Sequence, residues 1–115
     1  MVTRNTILRE TTRAKSLRIV EERIVKKSLD IIVLKAVEEE PLSGYDSILL
    51  IYKKFGVKLS AGTVYSLLHS LEKRGLIKVN KQKTRHYKLT EKGKKSLMVI
   101  TIMQNRIREL INTVF

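Results

Sequence analysis

The 115-residue chain contains no cysteine, no tryptophan and a single proline. Without cysteine there can be no disulfide, thiolate nucleophile or thiolate metal ligand, a composition that fits a reducing interior. No apolar run approaches the roughly 18–20 residues needed to cross a bilayer. Residues 1–13 mix Arg9, Glu10 and threonines and offer no apolar centre for a secretory signal. A cytoplasmic protein with no membrane partner is therefore expected. His69 and His86 are the two histidines, and no acid cluster stands beside either, so the four convergent ligands of a zinc site are lacking. The five glycines fall at helix boundaries or near helix starts, and none belongs to a phosphate-cradling loop. Glu38, Glu39 and Glu40 are consecutive, so on a helix end they splay apart around the axis. Neither an enzyme nor a bound cofactor or metal is expected.

What the chain has in excess is positive charge. Twenty-four Lys and Arg oppose eleven Asp and Glu, for a net charge of +13. The excess is uneven: residues 31–60 are neutral overall, whereas residues 61–90 carry seven bases and one acid. A purely solubilising surface would spread its charge more evenly, while a concentrated basic patch is the footprint of a polyanion site.

Hydrophobic spacing orders the chain as one domain. Residues 14–39 read as helix, with Leu17, Val20 and Ile24 at helical spacing and Ser28 as a cap or break. Beyond it, Leu29, Ile31, Ile32, Val33, Leu34, Ala36 and Val37 are apolar nearly all round, as in a buried central helix. Pro41 ends this run. Ser43 and Asp46 form the signature of a capped helix start, and Gly56 suits a left-handed stop. Between them Ile48, Leu49, Ile51, Tyr52 and Phe55 are the expected packing residues. After the short link Val57–Leu59, a further helix runs from Ser60 to Arg74 and stops at Gly75. A link of this length is that of a helix-turn-helix.

The period then falls to two. Residues 76–80 and 85–89 are expected strands around a polar tip, Lys81 to Thr84, with Ile77 and Val79 on one face. Thr90 caps a last helix, whose seam of Leu97, Ile100, Ile107, Ile111 and Val114 is interrupted by Gln104. The fold class is therefore mostly α with a small β-hairpin, a winged helix-turn-helix plus N-terminal and C-terminal helices. Residues 1–28 form an N-terminal extension, 29–92 the DNA-binding domain and 93–115 a dimerisation helix.

On the segment 60–74, Val64, Leu67, Leu68 and Leu71 form the inward stripe. At about 100° per residue the opposite face is Gly62, Ser66, His69 and Lys73, flanked by Thr63, Tyr65 and Ser70. It is small near its start and free of acids until Glu72, which suits a helix that must approach base edges in the major groove. The amides of Ser60 to Thr63 offer a phosphate site. From Lys78 to Lys95, eight bases face one acid, and Lys78, Lys81, Lys83, Arg85 and Lys88 are the expected backbone contacts of the wing.

These residues resemble the PadR family of winged-helix transcription regulators over about Leu29 to Lys95. Pro41-Leu42-Ser43-Gly44-Tyr45-Asp46 is similar to the family's Pro-Leu-His-Gly-Tyr-Glu segment. Leu59-Ser60-Ala61-Gly62-Thr63-Val64-Tyr65, with Leu67-Leu68-His69 and Leu71-Glu72, resembles its recognition helix. Gly75-Leu76-Ile77 and Leu89-Thr90-Glu91-Lys92-Gly93 resemble its wing and the start of its last helix. Ser66 stands where the family usually carries proline, and the wing lacks the tryptophan and Gly-Arg-Pro segment of many members. The resemblance implies that Ser60, Thr63, Tyr65 and His69 lie at or near DNA and that the last helix pairs two subunits.

The expectation is a homodimeric regulator, read as a repressor, on an inverted-repeat operator in double-stranded DNA. Two other readings stay open on sequence alone. One is a sensor with an apolar small-molecule effector at the dimer interface, near Met98, Met103 and Phe115. The other is a basic RNA-binding protein, although most of the tyrosines and phenylalanines fall at packing positions rather than on a stacking surface.

Overall fold

The computed structural model describes the backbone of residues 4–83 and 85–115 and the side chains of residues 12–83 and 85–115. Residues 1–3 of the expected N-terminal extension, and Thr84 of the hairpin tip, lie outside the described residues. The element order is α1 (Arg4–Lys27), α2 (Leu29–Glu39), α3 (Gly44–Phe55), α4 (Ala61–Lys73), β1 (Ile77–Val79), β2 (Tyr87–Leu89) and α5 (Glu91–Val114).

Helix α1 begins well before the expected Ala14. Ser28 separates α1 from α2 as a bend, not a cap, since its side chain makes no capping bond. Its N–H still donates to the Ile24 and Val25 carbonyls, and its carbonyl accepts from Ile32, so helical bonding continues on both sides. On α2 the buried residues are Leu29, Val33, Leu34 and Val37, while Ile31 and Ile32 are only half-buried.

The start of α3 is a complete capping box. Ser43 Oγ accepts from the Asp46 N–H at 3.0 Å, and Asp46 Oδ2 accepts from the Ser43 N–H at 3.0 Å. Its packing face differs from the expected one. Gly44, Ser47 and Ile51 are buried, whereas Leu49, Tyr52 and Phe55 are exposed. The reason is that α3 presents its small residues where it packs on α4, and this rotation turns the larger ones outward. Gly56 ends the helix in the left-handed region.

Helix α4 closes with a Schellman motif, in which the N–H of Gly75 donates to Glu72 and that of Leu76 to Leu71. The strands are shorter than expected and pair antiparallel, Ile77 with Leu89, Lys78 with Lys88 and Val79 with Tyr87. Val79 shares the face of Ile77 but stays exposed. A third strand position, unforeseen from sequence, is Leu42, which exchanges both backbone bonds with Tyr87. Through it the hairpin is tied to the residues leading into α3.

Thr90 caps α5, its Oγ1 accepting from the Gly93 N–H at 3.0 Å while its hydroxyl donates to the Gly75 carbonyl at 2.6 Å. Gly93 is buried so tightly that an added Cβ would run into the Leu76 carbonyl oxygen. The core gathers Val33, Leu34, Ile51, Val64, Leu68, Leu71 and Ile77 from α2, α3, α4 and β1.

Two of the expected dimer-seam residues belong instead to this core. Leu97 is buried and Ile100 packs against the cluster, because the first turns of α5 lie on α2 and β2. From Thr101 onward every residue of α5 is exposed, including Gln104, Ile107, Ile111 and Val114. The expected α1 stripe of Leu17, Val20 and Ile24 is exposed too, and Val25 makes the buried contact. The radius of gyration is 18.0 Å and the extents are 62 × 35 × 20 Å. A compact domain of this length would have a radius of about 13 Å. The excess lies in helices that extend past their own core.

Candidate nucleic-acid interface

Burying Val64, Leu68 and Leu71 fixes the rotation of α4 about its axis. Gly62, Thr63, Tyr65, Ser66, His69, Ser70 and Lys73 consequently form one exposed surface with Ser60 at its head. Ser60 Oγ accepts from the Thr63 N–H at 3.1 Å and lies 2.9 Å from Thr63 Oγ1. The Thr63 amide is therefore consumed inside the cap, which removes it from the expected phosphate site at Ser60 to Thr63. Between the two hydroxyls one hydrogen bond is shared, so one hydroxyl proton remains to donate outward. Around Gly62 the surface is open: an added Cβ would meet nothing closer than Ser60 Oγ at 4.0 Å. Packing does not require glycine there.

The wing tip is organised by Asn80, a residue the sequence reading passed over. Its N–H donates to His86 O at 2.7 Å, its carbonyl accepts from Lys83 N–H at 3.2 Å, and its Oδ1 accepts from Gln82 N–H at 3.0 Å. An Asx turn of this kind is the signal that could have identified it. Lys81, Lys83 and Arg85 stand exposed on this tip. Arg85 has φ 61°, the left-handed region, where a non-glycine residue is strained by roughly 1–2 kcal/mol. Lys78 and Lys88 are directly opposed across the strands, on the hairpin face away from Ile77 and Leu89. Like charges so placed repel, and bound anions would relieve the repulsion.

A side-chain contact holds the wing to the helices. His86 Nε2 lies 3.3 Å from Asp46 Oδ2, joining the wing to the capping box of α3. The Asp46 carboxyl is held below the ordinary aspartate value, first by the Ser43 backbone N–H, then by the Ser43 hydroxyl and the charges of His86 and Lys83, against a partial desolvation. Tyr87 is half-buried, and burial, with Glu72 and Tyr65 adding to it, pushes its phenol above the ordinary value. Tyr65 is anchored as well as exposed. Its ring lies over Gly44, where an added Cβ would sit 2.8 Å from Tyr65 Cε1.

A helix-turn-helix whose second helix carries a hydrogen-bonding outer face, with a cationic hairpin beside it, defines a winged-helix DNA-binding domain. The sequence profile described as "Transcriptional regulator PadR-like family" matches residues 33–99, more than half of the chain. The chain belongs to this family of transcription regulators. The solved structures agree. The chain is similar to a PadR family transcription regulator from Clostridium difficile, at 26% identity and TM-score 0.65, over 75% of this chain and 96% of that one. A transcriptional regulator from Thermoplasma acidophilum matches at 27% identity and TM-score 0.61, over 79% and 93% of the two chains. A PadR-like transcription factor from Bacteroides fragilis shares the fold at 24% identity and TM-score 0.67, over 84% and 98%. No curated relative matches the chain. Among the described residues no helix is long and apolar enough to cross a membrane.

Proposed function

We propose that the protein is a sequence-specific repressor that binds an inverted-repeat operator as a homodimer. In this reading α4 enters the major groove through Gly62, Ser66, His69 and Lys73, and the wing residues Lys81, Lys83 and Arg85 neutralise the adjacent backbone. The carrying observation is that the whole outer face of α4 is left uncovered by its own chain, beside an exposed cationic tip. The dimer rests on a second observation. The α5 seam beyond Ile100 projects Ile107, Ile111 and Val114 into solvent, an apolar surface that a second copy related by a two-fold axis would bury. Two recognition helices related by that axis would then read half-sites in opposite orientation.

Selection of bound sequences from a random duplex pool tests specificity and half-site spacing together. Recovery of an inverted repeat is expected, and recovery of no preferred sequence would remove specific recognition. Light scattering after gel filtration tests assembly, where a strict monomer at micromolar concentration would sink the dimer.

A further inference from the structure

Between the start of α3, the flank of α4 and the wing lies a cleft of about 530 Å³. Its walls include Tyr45, Tyr65, Tyr87, Val79, Arg85 and His86, and no carboxylate lines it. Asp46, next in sequence to Tyr45, is occupied instead with the Ser43 amide and the His86 imidazole. The makeup is a guanidinium and phenol hydroxyls around apolar surface. Tyr45, Tyr65 and Val79 are 65%, 55% and 46% exposed, so three large hydrophobic side chains face solvent around one opening. The Tyr65 ring rests on Gly44, and the Arg85 backbone stands in a left-handed conformation that its own side chain disfavours. Strain at a surface arginine is a sign of a position set by function.

We propose that this cleft seats one phosphodiester and its deoxyribose, on the strand that passes between α4 and the wing. Arg85 and the hydroxyls of Tyr45 and Tyr65 donate to the phosphate oxygens, while Val79 and the ring faces cover the sugar. Arginine and tyrosine are suited to this chemistry, since the guanidinium fork matches phosphate and bonds to an ionised acceptor are the stronger ones. The assignment rests on the DNA-binding reading above, and adds Tyr45 and the flank of α4 to an interface otherwise made of the α4 outer face and the wing tip.

The test uses the full chain, a selected duplex, and the variants Tyr45→Phe and Arg85→Gly. Glycine adopts φ 61° without strain, so Arg85→Gly should melt no lower than wild type. Its affinity should fall about tenfold, with the salt slope flattened by roughly 0.9, the value for one phosphate contact. Tyr45→Phe removes a single oxygen and should also bind about tenfold more weakly. A scan of the duplex with single neutral methylphosphonates should then find one phosphate at which the substitution and Arg85→Gly do not add. Wild-type affinity in both variants, or additive losses at every phosphate, would overturn the proposal. So would competition by millimolar inorganic phosphate, which would assign the cleft to a free anion. A wild-type chain that retains no duplex would overturn the DNA reading itself, before any variant is compared.

Discussion

Replacing Gly62 by alanine separates what this position does for the fold from what it does for the duplex. Gly62 is the second residue of α4, on the exposed face, and a methyl group there points into open space. The fold should therefore gain from the change. Alanine restricts the unfolded chain and favours helix by about 0.5–1 kcal/mol over glycine, which raises the melting temperature by roughly 2–6 °C for a domain of this size. Against DNA the same methyl acts in the opposite direction. A helix seated closely in the major groove has no room for it, and overfilling a packed contact costs about 1–3 kcal/mol. The expected loss of affinity is about 5- to 150-fold. Thermal melts of the free protein, with fluorescence-anisotropy titrations of a selected duplex at fixed salt, measure both sides. A variant that melts higher and binds as well as wild type would refute the reasoning, since it would show that no nucleotide approaches Gly62.

Gly93→Ala should act in the reverse sense. The added carbon collides with the Leu76 carbonyl oxygen, so urea unfolding should show a loss of at least about 1–3 kcal/mol, the range of an overpacked core. Lys83→Ala should weaken binding to all duplexes alike and flatten the salt slope by roughly 0.9; an unchanged slope would place the tip away from phosphate. The Asp46 carboxyl is depressed in the folded state, so its stabilising contribution is present above the unfolded aspartate value and is lost as pH falls through the folded one. Asp46→Asn should accordingly be less stable than wild type at neutral pH, with the gap in melting temperature closing below about pH 4. A gap that persists into acid would show that the charge is irrelevant to the cap.

Much of the fold was legible because its punctuation is local. Ser43 with Asp46 and Thr90 at the start of α5 act within three residues, and the structure shows each bond; the Ser60 cap on Thr63 was not foreseen, because the same amide was read as open to phosphate. The inward stripe of α4 was equally plain, since Val64, Leu68 and Leu71 repeat at helical spacing without an alternative apolar face. On α3 the same logic failed. Its large residues are spread around the helix, and only the close approach of α4 selects Gly44, Ser47 and Ile51 as the packed side. The α5 seam illustrates the same limit: one continuous stripe serves two surfaces, with Leu97 in the core and Ile107 beyond it.

Sequence alone settled where α3, α4 and α5 start to within a residue, which side of α4 faces inward, and where the positive charge accumulates. These follow from bonds and periodicities spanning a few residues, and such forces are the same in any fold. Tertiary structure alone decided that Leu42 would pair with Tyr87, that His86 would reach Asp46, and that Tyr65 would settle on Gly44. Each joins positions far apart in the chain, and a contact of that kind exists only after the helices have packed and set the distance between them.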